Sequence, residues 1–198
     1  MNIRNLLAAT AAVCVFTALA LCTASAQGNI PCVTNPPDCA GDAFVLQPTI
    51  TLTLWNGCEV KVIYRVRCAC GFYNDVAIEQ ISIPNTPECN GMLPQEILDQ
   101  VANILIAEVL AVNPPCGGTI PNCPATAEHW RVLRAPCVYV VDVDGTRLVF
   151  ACDGSACCWR VHSVCNAGPF TVTTVSTQQA TSCPNSAPNG GQCYPTCQ

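Results

Sequence analysis

Apolar and polar side chains alternate with a period of two through much of this chain, the pattern of half-buried strands. The clearest run spans Cys137 to Cys152, broken at its centre by Asp144-Gly145. Asp-Gly is the dipeptide of a two-residue type I′ turn, because both of its central residues need positive φ. A turn there sets the register. Val143 faces Thr146, Val141 faces Leu148, Tyr139 faces Phe150 and Cys137 faces Cys152. On the other side Asp142 meets Arg147, Val140 meets Val149 and Val138 meets Ala151. Slipping by one residue would scramble every pair. Opposed Cα atoms lie about 4.5–5.5 Å apart, a span that a disulfide accepts, so the register predicts a Cys137–Cys152 bridge.

The same alternation predicts strands over residues 49–55, 59–68, 76–83, 137–143, 146–152, 157–165 and 170–177. Between the first two lies Asn56-Gly57. A two-residue loop there would set Leu54 against Glu59 and mix the faces. An odd loop including Cys58 sets Leu54 by Val60, Leu52 by Val62 and Ile50 by Tyr64, with Thr51, Thr53, Lys61, Arg65 and Arg67 on the opposite face. In the third strand Val76 and Ile78 are out of phase with Ile81 and Ile83, which predicts a bulge near Glu79-Gln80. Cys157 and Cys158 point to opposite faces of their strand and are expected to staple it to two different neighbours.

One segment, 94–113, has helical period instead. Pro94 suits the first helical position and Asn113-Pro114-Pro115 ends the run. Ile97, Leu98, Val101, Leu105, Val109 and Val112 form one stripe, and Glu96, Asp99, Gln100 and Asn103 form the opposite face. Glu108 falls at the rim of the stripe, either reaching out to solvent or held as a buried acid or base. Residues 116–135 read as a loop. The expected architecture is α+β and mainly β: antiparallel meanders and hairpins with one packed amphipathic helix, rich in disulfides.

Cysteine usage sets the compartment. Residues 1–26 read as a secretory signal peptide, with Arg4, an apolar run from Leu6 to Leu21, and the Ala24-Ser25-Ala26 cleavage pattern. The run is shorter than the ~20 residues a bilayer crossing needs, so no membrane span is expected once it is cleaved. Leu21 before Cys22 argues against a lipoprotein. Removing the leader takes two of the 18 cysteines and leaves Cys32, Cys39, Cys58, Cys68, Cys70, Cys89, Cys116, Cys123, Cys137, Cys152, Cys157, Cys158, Cys165, Cys183, Cys193 and Cys197. An even, dense set behind a leader points to disulfides rather than zinc. Residues 27–48 form a Pro- and Cys-containing arm, 49–178 the stapled domain, and 179–198 a tail that would be disordered without its bridges. The expected location is secreted or cell surface, with the periplasm as a variant.

Charge narrows the partners. Without Arg4, seven basic residues face 13 acidic ones, and charged residues make up 11% of the chain, well under the ~25% of ordinary soluble domains. There is no basic patch for nucleic acid or an anionic membrane. No Gly-x-Ser-x-Gly elbow, Cys-x-x-Cys redox pair or phosphate loop occurs. Asp142-Val143-Asp144-Gly145 resembles the start of a calcium loop but lacks the later ligands. None of these patterns implies a cofactor or a metal site.

Two candidates remain. His129, Trp130, Arg131 and Arg134 cluster and could form an interaction patch, since Trp and Arg anchor interfaces; a strand edge or loop is the alternative. The two histidines, His129 and His162, could serve a small secreted hydrolase with an acid such as Glu128 or Asp153. A third reading is an inhibitor or toxin presenting a tied loop from Cys116 to Cys123. The leading expectation is a non-enzymatic extracellular protein, structural, surface-assembling or adhesive. Its partner would be a protein, an extracellular polymer or copies of itself, met at exposed sheet edges.

Overall fold

The computed structural model describes residues 43–69, 73–126, 128–152, 158–177 and 183–197, with the side chains of Ala69, Tyr73, Glu128 and His129 excepted. The expected leader, the arm up to residue 42, and Cys32, Cys39, Cys70 and Cys157 lie outside the described residues. Ten strands join in one sheet: β1 (Val45–Leu46), β2 (Ile50–Thr53), β3 (Glu59–Ala69), β4 (Tyr73–Pro84), β5 (Glu128–Arg134), β6 (Cys137–Val143), β7 (Thr146–Ala151), β8 (Cys158–Asn166), β9 (Phe170–Thr177) and β10 (Tyr194–Pro195). Among the described residues one α-helix, α1 (Pro94–Ile104), runs on into a π-helical turn, Leu105–Leu110.

The Asp144-Gly145 hairpin forms as its alternation dictates. Val143 pairs with Thr146, Val141 with Leu148 and Tyr139 with Phe150. Asp144 and Gly145 take φ of 51° and 75°, and the Tyr139 and Phe150 ring centroids sit 5.8 Å apart. The β2–β3 hairpin has the expected odd loop, but displaced by one residue. Leu52 pairs with Val60 and Ile50 with Val62, and Leu54 N–H donates to Cys58 O at 2.8 Å, so the loop is Trp55-Asn56-Gly57. Cys58 decides the register. It is buried and bonded to Cys89, so it must stand on the inner face beside Leu54 and cannot sit in the turn.

β4 is where the expected meander fails. Its pairing with β3 shifts between Ile63 and Tyr64, leaving Glu79 as the extra residue, the bulge that the phase change around Glu79-Gln80 predicts. On its other edge β4 takes two neighbours. Ile81–Pro84 pairs antiparallel with β7, and Asn74–Ala77 pairs in parallel with β5. Parallel neighbours need a crossover, and α1 supplies it, so β4, α1 and β5 form a crossover unit within an otherwise antiparallel sheet. The segment read as loop from 116 to 135 therefore ends in an interior strand. Its residues did not alternate cleanly because both faces of β5 are covered: Trp130, Arg131, Val132, Leu133 and Arg134 are all buried.

The helix packs on one face of the sheet and closes the main core, where Leu52, Val60, Val66, Val76, Ile81, Val132 and Val164 meet Ile97, Val101 and Leu105. Leu93 N–H donates to Glu96 Oε2 at 3.2 Å across the first turn, with Pro94 at the expected start. The stripe departs from its expected course in the last turns. Ala111 N–H reaches back to Ile106 O at 2.8 Å, one residue further than in an α-helix. The widened turn carries Ile106, Leu110 and Ala111 inward, while Val112, expected in the stripe, is 65% exposed. Glu108 is exposed, as the solvent-reaching alternative requires.

Six disulfides join described residues: Cys58–Cys89, Cys68–Cys116, Cys123–Cys165, Cys137–Cys183, Cys152–Cys193 and Cys158–Cys197. The expected Cys137–Cys152 bridge is not among them. The two residues do stand opposite, with Cys152 N–H donating to Cys137 O at 3.0 Å. The tail crosses the face they share and bonds each one separately, making a second small cluster with Ala187 and Tyr139. The tail is more than tethered. β10 pairs with the start of β6, Thr196 N–H donates to Pro136 O at 2.9 Å, and the Thr196 hydroxyl donates to Ala135 O.

Candidate functional site

Strand alternation divides the residues singled out in 128–134 between two faces of the sheet. Arg131 and Leu133 point away from the helix; Trp130 and Arg134 point toward it. Trp130, Arg131 and Arg134 are 0%, 6% and 2% exposed, so they do not form the surface patch that their composition suggests. The His129 side chain lies outside the described residues.

Away from the helix, Arg131 joins a buried ion cluster. Asp75 Oδ1 accepts from Arg131 Nε at 2.6 Å, and Oδ2 accepts from Arg131 Nη2 at 2.7 Å and from Arg67 Nη2 at 2.5 Å and Nε at 3.1 Å. Register builds this cluster, since Arg67 and Asp75 are direct partners across β3 and β4, and Asp75 and Arg131 across β4 and β5. Each guanidinium also lies over a ring: Arg67 is 4.5 Å from the Phe44 centroid and Arg131 is 5.6 Å from that of Trp159. Both contacts are within cation–π range. Arg67 lies on the face expected for it with Lys61, and that face is covered here, leaving it 1% exposed. The direct Arg67–Asp75 pairing is a signal that a β3–β4 register would have disclosed.

Toward the helix a second cluster repeats the Arg–Asp–Arg form. Asp99 of α1 accepts from Arg134 Nη1 at 2.5 Å and from Arg160 Nη1 at 2.8 Å. Asp99 and Gln100, expected together on the face opposite the apolar stripe, both have partners beyond the helix, and Gln100 accepts from Trp55 N–H at 3.0 Å. Burial pulls the Arg134 guanidinium below its ordinary value, with Asp99 opposing.

His162 belongs to the same face, directly across from Trp130. It is 2% exposed, and its Nδ1 lies 3.3 Å from Thr174 Oγ1. Burial, then the charges of Arg160 and Arg134, lower its pKa to about 4, and Asp99 opposes them. At neutral pH the imidazole is therefore uncharged. Trp130 Nε1, Arg134 Nη2 and His162 Nε2 have no hydrogen-bond partner among the described residues.

Of the residues named for a hydrolase, His162 alone has a described side chain. His162 is buried, its ring neighbour is a threonine hydroxyl, and the nearby carboxylate of Asp99 is engaged by two arginines. Asp153 and the Glu128 side chain lie outside the described residues. The loop from Cys116 to Cys123 is anchored at both ends, but to different strands, through Cys68 and Cys165. At the Asp142–Gly145 turn, Asp142 Oδ1 accepts from Gly145 N–H at 3.1 Å, so that carboxylate caps the turn. Among the described residues no group of three or more His, Cys, Asp and Glu side chains is placed to hold a metal ion.

What the sheet leaves open is its edge. Among the described residues, β9 ends the strand order and pairs with β8 alone. Its side chains from Thr173 to Thr177 are all exposed. No family model, no curated protein and no solved structure matches this chain. The six disulfides are compatible with an extracellular, disulfide-stabilised protein, and no helix among the described residues is long and apolar enough to cross a membrane.

Proposed function

We propose that the protein is a secreted, disulfide-clamped, non-enzymatic component of an extracellular, cell-surface or periplasmic structure, acting in assembly or adhesion. The observation that carries this reading is the oxidised frame. Three of the six bridges fasten the last fifteen described residues to the first residue of β6, the end of β7 and the first residue of β8. Cross-links of this density persist in oxidising compartments. The rest of the chemistry supports it. Arg67, Asp75, Arg131, Arg134, Asp99 and Arg160 are engaged with one another in ion pairs, and His162 is buried and uncharged. These charged side chains thus hold neighbouring elements together.

Its partner is a protein, an extracellular polymer or a copy of itself. Intact-mass spectrometry of exported, non-reduced protein tests the reading, together with fractionation of the producing cells. Loss of the leader and full oxidation of all sixteen remaining cysteines is the expected result. Free thiols in bulk, or stoichiometric zinc, would overturn it.

A further inference from the structure

We propose that two copies of this chain join by antiparallel addition of β9 to β9, making one continuous sheet across a twofold axis at Val172. The inference rests on the assembly reading above and names its partner and its surface.

An edge strand presents a row of unpaired N–H and C=O groups, and proteins that stay monomeric blunt it with lysine, proline, short length or a bulge. The other edges here are blunted. β1 and β10 are two residues long, with Pro195 in the second, and β2 is four. Beyond β10 the outer edge of β6 has no strand partner among the described residues, but Asp142 stands on it and Asp144 follows at its turn. In a chain of net charge −5, a second copy approaching that edge meets charge of its own sign. β9 has eight residues, Phe-Thr-Val-Thr-Thr-Val-Ser-Thr, with no charge and no proline. Its one device is a bulge at Val175, where the register with β8 shifts, so the regular stretch is Phe170–Thr174.

That stretch is self-complementary. An axis at Val172 pairs Phe170 with Thr174 of the other copy, Thr171 with Thr173, and Val172 with its own counterpart. Phe170 and Val172, packed against the core, then extend the inner face across the junction. Thr171 and Thr173, both exposed, form a threonine ladder on the outer face, a cross-strand pairing that stabilises sheets. A self-pairing interface must suit the same patch on both copies, and an uncharged β-branched run meets that demand where an acidic one does not.

Sedimentation velocity of the oxidised, full-length mature protein tests this. The wild type is expected to sediment as a dimer whose fraction rises with concentration. Thr171→Lys combined with Thr173→Lys sets like charges face to face and should leave only monomer. Thr171→Glu combined with Thr173→Lys sets opposite charges face to face and should keep the dimer. A monomeric wild type, a like-charge variant that still dimerises, or an opposite-charge variant that does not, each overturns the proposal. If the like-charge variant fails to form the native bridges, hydrogen exchange of the wild type decides. Phe170–Thr174 amides that gain protection with concentration support the pairing, and exchange that ignores concentration overturns it. A fully oxidised monomer would end the β9 pairing and leave the extracellular reading standing, whereas free thiols would end that reading itself.

Discussion

Asp75 joins β3, β4 and β5 through its side chain. It is wholly buried between Arg67 and Arg131, and it ties three adjacent strands. Removing one member of a buried ion cluster leaves uncompensated charge in a medium that solvates it poorly, a cost of about 3–5 kcal/mol. Asp75→Asn keeps the shape and removes the charge, so urea unfolding of that variant should show a loss in this range with an unchanged slope. His162 makes stability depend on pH. Its pKa drops from the ordinary 6.5 to about 4 on folding, so between those values the unfolded chain holds the extra proton. Stability therefore falls as pH drops through that window and levels off below it, with at most about 3 kcal/mol lost. Thermal melts across pH 4 to 7 should show the slope, and His162→Phe should flatten it.

Among the elements, the strand pairing of the β6–β7 hairpin was legible, because Asp144-Gly145 dictates its own turn and the turn dictates the pairs, but the Cys137–Cys152 bridge read from that register is replaced by two bridges to the tail. Gly145, at φ 75°, tests that logic: Gly145→Ala should cost about 1 kcal/mol by introducing a Cβ where left-handed backbone is required, read as a lowered melting temperature with the disulfides intact. The Glu79 bulge and the start of α1 were legible for the same reason, a local signal with a local cause. The β2–β3 register was legible only in parity. Its exact place depended on Cys58 reaching Cys89, thirty-one residues away, which no local pattern reports. β5 was misread for a related reason. A strand buried on both faces loses its alternation, and its arginines look like surface residues until Asp75 and Asp99 are brought beside them by β4 and α1. The π turn escaped because a helical wheel assumes constant pitch. Burial of His162 was likewise invisible, since it needs Trp130 and Thr174 brought beside it from β5 and β9.

At the scale of the whole molecule, the tail acts as a clasp across β6, β7 and β8. Each of its bridges closes a loop of 39 to 46 residues, worth about 4 kcal/mol in the chain-entropy account. Replacing Cys152 and Cys193 together with serine should remove a contribution of that order, and limited proteolysis should then cut between Ala187 and Cys193 first. The clasp reaches as far as β8, the strand that carries β9, so its Cys158–Cys197 bridge fastens the neighbour of the strand proposed to self-associate. The clasp also bears on how the molecule is made. Synthesis runs from the amino end, so Cys137, Cys152 and Cys158 all exist before the cysteines that they finally join. Until the last residues arrive, Cys137 and Cys152 face each other across a finished hairpin with no other tail partner in reach. An oxidant acting early would link this pair, and a thiol–disulfide isomerase would then be needed to release it.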